Sequence, residues 1–197
     1  MTVLDFDPDR RTNAKAIMDL ASIGILRVED RVLDVTLGPD RGFWKLWKPA
    51  HLVTNDLDRA IKARHHWDAR KLPLEDDSFD VLALDLPYAN RGTAKDREID
   101  TRFGTLTYQS PAQREALLID GTIEAMRVAS RLVLVKCQDA VVANKLRPQS
   151  YPIYDAVVKE GGRLVSLLYV VGNRSQPTGK RQVNVWSNCS TLMVIGV

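Results

Sequence analysis

The sequence predicts an α/β domain: a doubly wound, mostly parallel sheet with an antiparallel strand at its edge. Three observations carry this. Short apolar runs alternate with segments of helical period, the pattern of repeated strand–helix units. Runs such as residues 81–84 are apolar at consecutive positions, as in strands buried on both faces. The final two runs have no helical segment between them, so they are expected to pair antiparallel. A chain of 197 residues has the size of one domain, and it shows no internal repeat.

Thr12 or Asn13 caps a first helix, with Ala14, Ile17, Met18 and Ala21 on one face and Gly24 past its end. Residues 1–27 thus read as an N-terminal helical extension. Residues 31–37 form a buried strand that runs into the turn formers Gly38, Pro39 and Gly42. Residues 51–55 make a second strand, Asp58 caps a short helix after it, and His66-Trp67 is a brief third strand. A fourth strand over residues 78–84 ends at Asp85-Leu86-Pro87-Tyr88. The charged stretch 89–109 exceeds a plain connector and is expected to be a substrate-side loop. Ser110-Pro111-Ala112-Gln113 is a capping box with proline at the first helical position. Ala112, Ala116, Ile119, Ile123 and Met126 follow along one face of that helix. Strand 131–136, a helix over 153–160 stopped by Gly161-Gly162, and strands 164–171 and 191–197 complete the order. Between the last two, residues 172–188 read as a basic hairpin loop.

No apolar run approaches the roughly 18 residues that span a bilayer. Residues 1–11 lack the apolar core of a secretory signal. Cys137 and Cys189 are too few for a disulfide framework or a four-ligand zinc site, so a cytoplasmic setting without metal is expected. His65-His66 reads as a strand-edge pair rather than a ligand set. Charge is uneven: residues 1–100 carry 16 Lys/Arg against 19 Asp/Glu, and residues 101–197 carry 12 against 6. The basic half can face phosphates or be a solvated surface, and charge alone leaves both open.

Ligands of an open parallel sheet bind beyond the carboxyl ends of its strands. There the chain places Asp34, Thr36 and Gly38, with Gly42 just after. The glycines permit close backbone approach, and Asp34 can accept from an ammonium group. The spacing is not G-x-G-x-x-G, which opposes a nicotinamide dinucleotide. Asp56, 18 residues beyond Gly38 and followed by Leu57, suits the paired hydroxyls of a ribose. Asp68, followed by Ala69, suits an adenine amino group. One such acid alone is more often a cap or turn residue, whereas three at successive strand ends favour a ligand.

Asp85-Leu86-Pro87-Tyr88 brings together a carboxylate, a main-chain carbonyl, a rigid proline and an aromatic face. An exocyclic nucleobase amine is a poor nucleophile, because its lone pair is delocalised into the ring. Two acceptors on its N–H bonds favour a pyramidal nitrogen, and a stacked ring holds it in line for attack. The plain alternative is a Pro-Tyr pair that ends a strand. Lys136 and Cys137 read as a buried strand-end pair, with no histidine in the pattern to activate the thiol.

On these residues the sequence resembles class I S-adenosylmethionine-dependent methyltransferases. The likeness is to amino-methylating nucleic-acid enzymes with a D/N/S-P-P-Y/F/W motif, especially small phage and actinobacterial proteins. Residues 135–139 (VKCQD) and the Arg181-Gln182…Ser190-Thr191-Leu192 ending share that likeness, which spans about residues 28–197. It implies a seven-stranded Rossmann-like methyltransferase sheet and S-adenosyl-L-methionine as cofactor. Asp34, Thr36, Gly38 and Gly42 would line its methionine end, Asp56 and Leu57 its ribose, and Asp68 and Ala69 its adenine. Asp85, Leu86, Pro87 and Tyr88 would receive the target base, with Tyr108, Lys136, Arg174 and Arg181 on the substrate side. Leu86 stands where the family has proline, and Pro39-Asp40 interrupts its glycine loop.

The implied reaction is methyl transfer to adenine N6 or cytosine N4, in DNA ahead of RNA, with the base flipped out of a duplex. A nucleic-acid-binding protein that keeps the fold without turnover is the alternative that Leu86 and the thinned glycine loop motivate. No membrane partner is expected, and the sequence leaves the oligomeric state open.

Overall fold

The computed structural model describes residues 12–86, 110–142, 145–171 and 189–197. Among them, six strands form one sheet in the order β2-β1-β3-β4-β8-β7. These are β1 (Arg31–Asp34), β2 (His51–Thr54), β3 (Phe79–Leu84), β4 (Ala129–Cys137), β7 (Arg163–Val171) and β8 (Cys189–Gly196). The first four pair in parallel, and β8 runs antiparallel to both β4 and β7. Two short strands, β5 (Ala140–Val142) and β6 (Lys145–Arg147), form a separate hairpin that the sequence pattern does not announce.

Helices cover both faces, although not one per crossover. On one face α1 (Asn13–Ser22) lays Ala16, Ile17 and Leu20 against Val32, Val81, Ala83, Leu132 and Leu134, with Phe43 and Trp44 filling the same layer. On the other, α2 (Pro111–Val128) and α3 (Ser150–Lys159) pack Leu118, Ala125, Ile153 and Val157 onto Leu33, Leu82, Leu84, Val133 and Val135. The helix read as an extension therefore belongs to the core. No described helix is long and apolar enough to cross a membrane.

The helix ends follow their local chemistry. Thr12 accepts from the Lys15 amide, and both halves of the Ser110–Gln113 capping box form. Helix α3 begins three residues before its apolar pattern does. Asp139 Oδ1 accepts from the amides of Gln149 (2.8 Å) and Ser150 (3.1 Å), so a carboxylate from beyond the β5–β6 hairpin caps it.

Two expected elements are absent. His66-Trp67 is not a strand: a single parallel bridge joins Asn55 to His65, so the sheet has six described strands rather than seven. The backbone groups of Trp67 that a ladder needs are spent on Asn55 instead. Asn55 Oδ1 accepts from Trp67 N (2.7 Å), and Asn55 Nδ2 donates to Trp67 O (3.0 Å) and Val35 O (2.9 Å). Asp58 opens no helix either. Its carboxylate accepts from Ala60 N, and the chain then folds back so that the Arg64 and His65 amides reach Thr54 O.

Asn55 is fully buried, and its amide links the end of β1 to the segment leading to Asp68. Replacing it with alanine strips three hydrogen bonds and leaves buried backbone groups without partners. Asn55→Ala is expected to lower unfolding stability by about 3 kcal/mol in a urea titration. A loss under about 1 kcal/mol would remove that residue from its assigned role.

Candidate active site

The site is organised by residues 35–38, which leave β1 and are sewn to the strands on either side. Val35 N donates to Ala83 O (2.9 Å) at the end of β3, and Leu37 N donates to Asn55 O (3.0 Å) beyond β2. The Asp85 amide then donates to Thr36 Oγ1 (2.6 Å), and the Gly38 amide to Asp56 Oδ2 (2.8 Å). Gly38 sits at φ +61°, where a side chain would be strained, and a Cβ there would meet only Thr36 O at 4.0 Å. Three predicted acids, Asp34, Asp56 and Asp85, are thereby drawn together at the carboxyl ends of β1, β2 and β3.

Asp34 is the most enclosed of them. Trp44 Nε1 donates to its Oδ2 (2.7 Å) and Thr36 N to its Oδ1 (3.0 Å). Burial pushes its carboxyl up to about 7 against the pull of those two donors, and Asp85 and Asp56 add repulsion. Asp34 is therefore poised to gain its charge near neutral pH, where a cation beside it would favour the ionised form.

Asp85 lies beyond β3, with its side chain 29% exposed. Its Oδ2 accepts from Asn13 Nδ2 (3.1 Å), on the first turn of α1, and lies 3.7 Å from Lys136 Nζ, at the end of β4. Burial raises its pKa, opposed by Lys136 and Asn13. Leu86 is buried, and its Cδ1 would stand 2.7 Å from a Cβ added at Gly121 of α2. Leu86, at the second position of the Asp85–Tyr88 tetrapeptide, thus anchors the strand tip in a notch that only glycine leaves open.

Asp56 holds its turn through Asp58 N (2.9 Å) as well as Gly38 N, and its carbonyl bonds His66 Nδ1 (2.8 Å). Asp68 is differently committed. The Arg70 guanidinium forks onto both its oxygens, the closest contact being 2.6 Å, and holds its carboxyl below the usual range. Ala69 is buried beside Gly121, whereas Leu57 is 60% exposed and Gly42 lies against Asn13. The histidine pair is divided, since His65 stacks on Trp67 at 3.9 Å. Cys137 is buried, which pushes its thiol up to about 12 and keeps it un-ionised. Pro87, Tyr88, Tyr108, Arg174 and Arg181 lie outside the described residues.

Sequence reasoning missed Asn13, Trp44 and Gly121. Asn13 reads as a helix-start residue, and Trp44 and Gly121 stand in no motif. A tryptophan ten residues from a buried acid has one polar atom to satisfy, and that need was the available signal.

No family model matches this sequence. No curated protein matches it either. Solved structures do. The chain is similar to a protein from Bacillus halodurans assigned as a methyltransferase, with TM-score 0.56 and 15% identity over 92% of this chain and 98% of the other. It is similar to a protein from Pyrococcus horikoshii assigned as an RNA methyltransferase, with TM-score 0.53 and 10% identity over 93% and 83%. A third is the magnesium protoporphyrin IX methyltransferase of Synechocystis with S-adenosylhomocysteine bound, with TM-score 0.52 and 10% identity over 100% and 88%. The chain has the mixed α/β fold of S-adenosylmethionine-dependent methyltransferases.

The Asp34–Trp44 contact carries a pH signature. A carboxyl whose folded pKa stands above its unfolded value favours folding when protonated, so its contribution is lost as pH rises from about 4 to about 7. Trp44→Phe removes a donor to the ionised form. The stability gap between wild type and Trp44→Phe is expected to widen by about 1 kcal/mol between pH 5 and pH 8 in denaturant titrations. A gap independent of pH would contradict the contact.

Proposed function

We propose that this protein is an S-adenosylmethionine-dependent methyltransferase acting on the exocyclic amine of a nucleobase, adenine N6 or cytosine N4, with DNA as substrate. The observation that carries the reading is the convergence of Asp34, Asp56 and Asp85 around residues 35–38. The donor set fits the cofactor's chemistry. Asp56 offers carboxylate oxygens with lone pairs left for vicinal hydroxyls, Gly38 leaves open space where a side chain would stand, and Asp34 supplies anionic character near a cationic group. Asp68 can serve adenine only while it also holds Arg70.

When bound, S-adenosylmethionine supplies a methyl group on a positively charged sulfur. The chain's own residues then do three things. Asp56 and the Gly38 turn hold the ribose side, Asp34 places negative charge on the methionine side, and Asp85 accepts an N–H of the incoming amine to orient its lone pair. The fold neighbours include an assigned RNA methyltransferase and a porphyrin methyltransferase, so the fold does not select the substrate. What favours a nucleobase here is the Asp85-Leu86-Pro87-Tyr88 sequence and the basic balance of residues 101–197, which suits a phosphate backbone.

Calorimetry with S-adenosylmethionine and labelled-methyl transfer to DNA and RNA oligonucleotides test this together. Asp56→Ala is expected to weaken cofactor binding by about tenfold or more. Asp85→Ala should keep binding and lose transfer by about 100-fold. Cofactor binding without transfer to either nucleic acid would favour the turnover-free alternative, and absence of cofactor binding would overturn the assignment.

A further inference from the structure

Asp85 is approached from three directions by parts of the chain far apart in sequence. Asn13 reaches it from α1, 72 residues away, Lys136 from the end of β4, and Thr36 holds its backbone amide from the loop after β1. Both side-chain donors converge on one oxygen. Asn13 Nδ2 lies 3.1 Å and Lys136 Nζ 3.7 Å from Oδ2, and no described residue donates to Oδ1. Lys136 is 8% exposed, so its ammonium is sheltered from water, where attraction to a carboxylate is strongest.

We propose that Asn13 and Lys136 are positioning residues that grip Oδ2, hold the Asp85 carboxylate charged inside the fold, and leave Oδ1 to accept the substrate N–H. This rests on the amine-methylation reading above. Among the described residues, the charged groups facing Asp85 are Lys136 from β4, which attracts, and Asp34 from β1, which repels; Asn13 of α1 and Thr36 of the loop are neutral. With the ammonium removed, burial is opposed among the described residues by Asn13 alone, and the carboxylate takes up a proton at higher pH. A protonated Asp85 has one acceptor fewer for the amine, so turnover would fall with the same midpoint.

The test is a carbon-detected NMR titration of the Asp85 carboxyl in the full chain, run beside the pH profile of labelled-methyl transfer to oligonucleotides. In Lys136→Met the carboxyl midpoint should rise by about one to three pH units, and Lys136→Arg should restore it. Asn13→Ala should shift it the same way by a smaller amount, and it keeps the question decidable should Lys136→Met fail to fold. The acid limb of kcat should move with the carboxyl. A midpoint that is unchanged in both variants overturns the clamp, and so does an acid limb that ignores a shifted carboxyl. Failure of the wild-type chain to methylate any oligonucleotide would instead contradict the function, with the carboxyl titration still deciding the clamp.

Discussion

The site depends on one constraint: four residues leaving β1 must satisfy backbone groups on both neighbouring strands at once. Val35 is tied to β3 and Leu37 to the end of β2, and Asn55 closes the arrangement by bonding Val35 O and both backbone groups of Trp67. Buried backbone groups are costly to leave unpaired, so this stitching fixes where every nearby carboxylate falls. On this frame the Gly38 amide meets Asp56 and the Thr36 hydroxyl meets the Asp85 amide. The site's geometry is a by-product of backbone accounting at the strand ends.

That geometry has an electrostatic consequence. Three carboxylates gathered in a largely buried place repel one another, and the fold answers each with a different partner. Asp34 has an indole N–H and an amide, Asp56 two amides, and Asp85 an ammonium and a carboxamide. Burial still raises the pKa of Asp34 and Asp85. A cationic ligand would relieve that cost, which makes the cluster better suited to a sulfonium or ammonium than to an anion.

Much of the architecture was legible in apolar runs and local chemistry, although α2 buries Leu118, Gly121 and Ala125 rather than the expected face of Ala112, Ala116, Ile119, Ile123 and Met126. The cores of β1, β3 and β4 are continuous apolar runs, and the Ser110 capping box marks the start of α2 to the residue. The acids at the strand ends were legible for the same reason, since knowing where a parallel strand stops shows where a ligand would sit. What stayed hidden depends on partners distant in sequence. Asn55, read as the last residue of a strand, is a cross-link, and it takes from Trp67 the bonds a third strand would have used. Asp139 caps α3 from ten residues upstream across a hairpin, and Asn13 meets Asp85 only after folding. Leu86, which reads as a flaw in the motif, finds its reason in Gly121, and no local rule connects those two positions.

The most direct test of the account is a structure of the full chain with S-adenosylhomocysteine bound. The account requires the ribose hydroxyls within hydrogen-bonding distance of Asp56 and the sulfur on the side of the Gly38 turn that faces Asp85. A nucleoside bound away from the ends of β1 and β2, or ribose hydroxyls that make no bond to Asp56, would contradict it.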